Sequence, residues 1–97
     1  MSAAHHTALL ALHYQNDVLH ADGLIRVGVE ANSPQRQALI EAAGRLLAQA
    51  RAQGVPIVHV RVGYRPDYAD LLCNAPILHN VKRIGAMQTG SWGAQFF

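Results

Sequence analysis

A chain of 97 residues has room for one domain or for part of one. Apolar residues make up 51% of it and charged residues only 14%, a balance that favours a buried core over disorder. The net charge of +2 comes from scattered arginines rather than a basic run, which counts against nucleic-acid and membrane-surface binding.

Cys73 is the single cysteine, so no internal disulfide framework exists and a reducing, cytoplasmic setting is expected. No apolar run reaches the ~18 residues of a membrane-spanning helix. The first seven residues are short and polar and carry no signal-peptide pattern. Within them, His5-His6 reads as a solvated terminus rather than a metal site or tag remnant.

Residues 7–14, TALLALHY, form a continuous apolar run of strand length. Its lack of alternation suits a strand covered on both faces in a parallel sheet. Gln15, Asn16 and Asp17 follow at once. Residues 18–20 and 24–27 flank Ala21-Asp22-Gly23, and the Asp-Gly step predicts a small irregular hairpin. Ser33-Pro34 opens a helix, with serine as cap and proline at the first helical position. Leu39, Ile40, Ala43, Leu46, Leu47 and Ala50 recur at helical spacing on one apolar face, and Gly54 is placed for a left-handed stop.

Residues 55–62, VPIVHVRV, predict a second strand, with proline near its start where a missing donor is tolerated. Residues 63–70 read as a loop. Residues 71–87 are mixed, with one helical turn around 77–84, and Ser91 is placed to cap a helix beginning at Trp92. Strand, helix, strand in this order is a βαβ unit of an α/β parallel-sheet, three-layer Rossmann-like fold. Two strands and one long helix bury little surface for a domain, so the residues imply an incomplete fold, completed by more chain or by a partner.

Ligands of open α/β sheets bind outside the carboxyl ends of the strands. That rule selects residues 13–17 (HYQND) and 63–67 (GYRPD). The first of these segments also carries a resemblance. Residues 7–17, TALLALHYQND, resemble the opening strand of the isochorismatase-like cysteine hydrolases, which include nicotinamidases and N-carbamoylsarcosine amidases. The family motif there is an apolar strand ending in Asp-x-Gln-Asn-Asp, then an aromatic or apolar residue. Residues 18–23 (VLHADG), 53–58 (QGVPIV) and 90–94 (GSWGA) continue the pattern. The likeness covers most of this chain but only about the first half of a family member. It implies that residues 1–97 are the N-terminal portion of one isochorismatase-like domain.

The resemblance further implies a small-molecule hydrolase acting on an amide, ureido or enol-ether bond, with an amide or ureido C–N bond the leading expectation. Its nucleophile would be a cysteine, assisted by an aspartate base and a lysine, and the cysteine and lysine would lie beyond residue 97. A thiolate generated by a neighbouring base is the reactive form, with a cation and N–H groups holding the oxyanion. His13 stands where the family has the catalytic aspartate. An imidazole is also a competent base near neutral pH, but its charge beside a lysine is opposite to that of a carboxylate.

Gln15, Asp17, Tyr64 and Trp92 are the candidate substrate-binding or supporting residues, with loop-shaping hydrogen bonds the favoured role for Gln15, Asn16 and Asp17. Tyr64, Arg65, Tyr68 and Trp92 suit a pocket lining or an interface, and Trp92 equally suits a cap on the core. Cys73 lies outside any strand-to-helix turn and reads as a small core residue. His59 reads as a hydrogen-bonded core histidine, and no metal or other cofactor is implied.

The implied partners are a small-molecule substrate and either a second copy of the chain or the remaining half of the fold, with no nucleic acid and no membrane. The 97 residues alone are expected to be inactive. Two other readings stay open: a non-catalytic relative serving as a binding or scaffold subunit, and an inactive fragment.

Overall fold

The computed structural model describes residues 6–97; His5, and with it part of the His5-His6 reading, lies outside the described residues. Strand β1 (Leu9–Leu12) is shorter than the apolar run because His13 turns into a left-handed conformation, φ 63°. Its backbone N–H still donates to the Val60 carbonyl at 2.7 Å, so the pairing runs one residue past the strand. Strand β2 (Ile57–Val60) lies parallel to β1, with Leu9 opposite Ile57 and Leu12 opposite Val60. Both strands therefore exit at the same end, as the βαβ order requires.

Helix α2 (Pro34–Ala52) connects them. The Ser33 hydroxyl accepts the Gln35 N–H at 3.2 Å, capping one of the donors a helix start leaves unpaired. At the other end Gly54 takes φ 71°, the left-handed stop, and Val55 N–H returns to the Ala50 carbonyl at 2.9 Å. The helix packs on β2 with Ala50 buried, while Leu39 and Leu46 of the same face stay exposed.

Three expectations are corrected. The hairpin expected over residues 18–27 is absent. In its place stands the single helical turn α1 (Asn16–Leu19), followed by a 3-10 turn at Arg26–Gly28. The reason is Asp17, whose carbonyl and carboxylate accept the N–H groups of Ile25 and Leu24 and draw the Asp22-Gly23 turn back onto the helical turn. Residues 76–84 hold a full nine-residue helix α3 (Pro76–Ile84), started by proline and stopped by left-handed Gly85. Ser91 does not cap with its side chain; its hydroxyl donates backward to the Gln88 carbonyl at 2.6 Å, and Trp92–Ala94 form only a 3-10 turn.

The last residues then run extended and antiparallel beside the exit of β1. Asn16 N–H donates to the Gln95 carbonyl and Phe97 N–H to the Tyr14 carbonyl, each at 2.9 Å. The core is built largely from small side chains: Ala11, Leu19, Ala50, Tyr68, Ala86, Met87 and Ala94 are buried. One face of the sheet, bearing Leu10, Leu12 and Val58, is open to solvent, as are Phe96 and Phe97. None of the described helices is long and apolar enough to cross a membrane.

Candidate functional site

The site starts at Gln15, whose side chain is fully buried at the exit of β1. An amide carries two donors and an acceptor on one planar group. Here Nε2 donates to the carbonyls of Val62 and Ala94, both at 2.7 Å, and Oε1 accepts Val62 N–H at 2.9 Å. One side chain thus joins the exits of both strands to the 3-10 turn at residues 92–94. Asn16 adds a bond from Nδ2 to the Trp92 carbonyl at 2.9 Å.

Asp17, also buried, accepts Leu24 N–H at 3.1 Å on one oxygen and Met87 N–H at 2.8 Å on the other. Gly93 sits against that carboxylate so closely that a Cβ there would overlap it, and a Cβ on Gly23 would strike the Asn16 carbonyl. The three polar residues after β1 are therefore a structural knot whose buried groups are all partnered, which is what burial demands of them.

Above the knot, beyond the carboxyl end of β2, lies a cavity of about 520 Å³ lined by Arg61, Val62, Gly63, Thr89, Gly90, Ser91, Ala94 and Gln95. Its two walls are tied together: Tyr64 N–H donates to Met87 at 2.8 Å and Thr89 N–H to Tyr64 at 2.7 Å. Gly63 allows close approach, since a Cβ there would lie 2.7 Å from the Thr89 hydroxyl. The Arg61 guanidinium carbon stands 5.7 Å from the centre of the Phe96 ring. Arg61 is the one charged side chain in the lining, and among the described residues it has no ion-pair partner.

The residues singled out in the sequence divide between these two places. Gln15 and Asp17 come together in the knot, Gln15 through residues 62 and 94 that also line the cavity. His13, Tyr64 and Trp92 do not line it. His13 is exposed beside β2. Tyr64 is half-buried, its ring 6.1 Å from that of Tyr68. Trp92 is 46% exposed and meets His20 edge-on at 4.9 Å, so it is a surface ring rather than a cap on the core.

Tyr68 is interior, not lining: its hydroxyl donates to the Ala86 carbonyl, and burial pushes its phenol above the ordinary value of 10.0. Arg65 is exposed and paired with Asp67 at 3.2 Å. His59 is not a core histidine; it is exposed, with its ring edge-on to Phe96 at 5.6 Å. Cys73 is half-buried in the loop before α3. Among the described residues no group of three or more His, Cys, Asp or Glu is placed to hold a metal ion.

Arg61, Thr89 and Gln95 line the cavity without being among the candidates the sequence offers, and Ser91, expected only as a helix cap, lines it as well. Arg61 carries the only full charge in the run of residues 55–62, a signal that was available one residue before the loop chosen by the strand-exit rule. Thr89 and Gln95 offered none, because a turn some 30 residues downstream brings them to the site.

The family model of the Isochorismatase domain matches residues 7–97. That span holds both strands, the knot and the cavity, so the chain belongs to the isochorismatase family.

Proposed function

We propose that this protein is a small-molecule hydrolase that cleaves an amide or ureido C–N bond, and that these residues form the N-terminal portion of its single catalytic domain. The family match supports the hydrolase class. The observation that carries the reading furthest is the cavity at the carboxyl end of a parallel sheet, where α/β folds present their ligands. In this reading a cysteine beyond residue 97 attacks the carbonyl carbon, a lysine accompanies it, and His13 occupies the base position at the exit of β1. Gln15 and Asp17 act by holding the strand exits in place, and the open sheet face is covered by the rest of the domain or by a second copy. A reducing, cytoplasmic setting suits a thiolate nucleophile.

The test is thiol alkylation of the protein carrying its C-terminal segment, followed against amidase turnover. Alkylation should abolish turnover, and Cys73→Ser should leave both turnover and its sensitivity intact. Turnover unaffected by complete alkylation rules the mechanism out.

A second reading is favoured by one observation, the imidazole at position 13 in place of the family's aspartate: a relative that keeps the fold as a binding or scaffold subunit without catalysis. His13→Asp separates the two. Gain of turnover marks histidine as a degenerate base, loss marks it as an adapted one, and absence of turnover in both forms leaves the binding subunit.

A further inference from the structure

We propose that Asp22-Gly23 is a latent site of isoaspartate formation, reached only when the turn at residues 20–25 opens. An aspartate followed by glycine is open to this reaction because no side chain obstructs the glycine nitrogen. The Gly23 nitrogen attacks the carboxyl carbon of Asp22 in its protonated form. A nitrogen–carbon bond forms, one carboxyl oxygen departs as water with the carboxyl proton and the amide proton, and a cyclic succinimide results. Water then adds to either ring carbonyl. Opening at the side-chain carbonyl restores aspartate. Opening at the main-chain carbonyl leaves isoaspartate, with the chain rerouted through the β-carbon.

Both reacting groups are present, and the fold keeps them from meeting. The Asp22 side chain is 84% exposed, and its carboxylate comes no nearer than 3.9 Å to Nδ1 of His20, so no short bond pins it away from the main chain. Gly23 is buried. Its N–H donates to the His20 carbonyl at 2.9 Å, and its carbonyl accepts Nη1 of Arg26 at 2.8 Å. On either side, Asp22 N–H donates to Nδ1 of His20 at 2.9 Å and Leu24 N–H to the Asp17 carboxylate at 3.1 Å. The nitrogen that must attack is engaged in a hydrogen bond and its neighbours are clamped, so ring closure requires the turn to let go first. Gly23 cannot be exchanged to remove the hazard, because a Cβ there would overlap the Asn16 carbonyl. The missing side chain that lets the turn close on α1 is the same one that leaves the nitrogen open to react. Isoaspartate adds a methylene to the main chain just before Leu24 and Ile25, whose N–H groups are held by Asp17. Asp17 also accepts Met87 N–H, so the lesion loosens the knot below the cavity. It needs no catalysis by the protein and stands apart from the hydrolase reading.

The test is to age the protein at neutral pH in heavy-oxygen water, folded in buffer and unfolded in guanidinium chloride. Peptide mass spectrometry with electron-transfer fragmentation separates isoaspartate from aspartate. Heavy oxygen and isoaspartate should accumulate at residue 22 in both samples, at least about tenfold more slowly in the folded one. Arg26→Ala, which releases the Gly23 carbonyl, should raise the folded rate by a few-fold and leave the unfolded rate unchanged. Asp22→Glu should abolish the label there, because its ring closure is far slower.

A measurement on the parent alone covers the case in which a variant fails to fold. The ratio of folded to unfolded rates should match the open fraction given by hydrogen exchange at the Leu24 amide. An unlabelled residue 22 in the unfolded protein overturns the site. Equal rates in the folded and unfolded protein overturn the gate, as does a folded rate far above the open fraction.

Discussion

At the level of single residues, the side chains after β1 work chiefly as architecture. Gln15→Ala leaves the carbonyl and N–H of Val62 and the carbonyl of Ala94 without their partners in a buried place. A loss of about 3 kcal/mol is expected, read as a lowered urea midpoint. Asp17→Asn is nearly isosteric but turns an NH₂ toward one of two backbone donors, so about 2 kcal/mol should go although the volume is unchanged.

Tyr68 adds a dependence on pH. Burial raises its phenol above 10.0, so the folded chain holds that proton more tightly than the unfolded chain. The stabilisation is complete below the unfolded value and is lost as pH rises past about 10 toward the raised folded value. Denaturation midpoints taken near pH 9 and near pH 11 should fall for the parent and hold more nearly level for Tyr68→Phe. That variant should start about 1 kcal/mol lower for want of the bond to Ala86. The importance of Gln15 and Asp17 was legible in the sequence as polar residues ending an apolar run. Their partners were not, because residues 62, 87 and 94 reach them only through the fold.

Among the elements, α2 is the one the sequence specifies most completely. Its cap, its proline and its glycine stop are local signals that need no tertiary contact to act. Gly54→Ala should therefore cost about 1 kcal/mol, by forcing a Cβ into left-handed backbone, and Ser33→Ala a similar amount. Thermal melts followed by helical dichroism at two chain concentrations would check both and exclude an effect of association. The hairpin expected over residues 18–27 failed for the opposite reason. Asp22-Gly23 does turn the chain, but the turn closes on the Asp17 carbonyl and carboxylate rather than on a second strand. Helix α3 carries its own local signals, with Pro76 at its start, Ile77, Leu78, Val81 and Ile84 at helical spacing on one face and Gly85 at its stop, so the expectation of a single turn fell short of what these residues specify.

For the molecule as a whole, the parallel pairing of β1 and β2 was readable from strand, helix, strand, and it fixes both strand exits at one end. The small buried surface was readable from the same three elements, but which face of the sheet stays open was not. Leu10, Leu12 and Val58 form an apolar strip across both strands on the face away from α2, each about half exposed. A strip of that kind binds apolar dyes or other protein surface. The 97-residue chain should enhance anilinonaphthalene sulfonate fluorescence, and Leu10→Lys with Val58→Lys should remove most of the enhancement while leaving the helical dichroism of α2 in place. Enhancement unchanged by the two lysines would show that the dye sits elsewhere.

The Gln15 amide has one more consequence, for motion. It grips both banks of the cleft, and the neighbouring Asn16 N–H is bonded to Gln95 on the same bank as Ala94. Neither bank can swing away without breaking bonds to the other, so the mouth of the cleft opens as a unit or not at all. Deuterium uptake at the Val62 and Asn16 amides should consequently proceed at one shared rate, slower than at the exposed turn around Gly28.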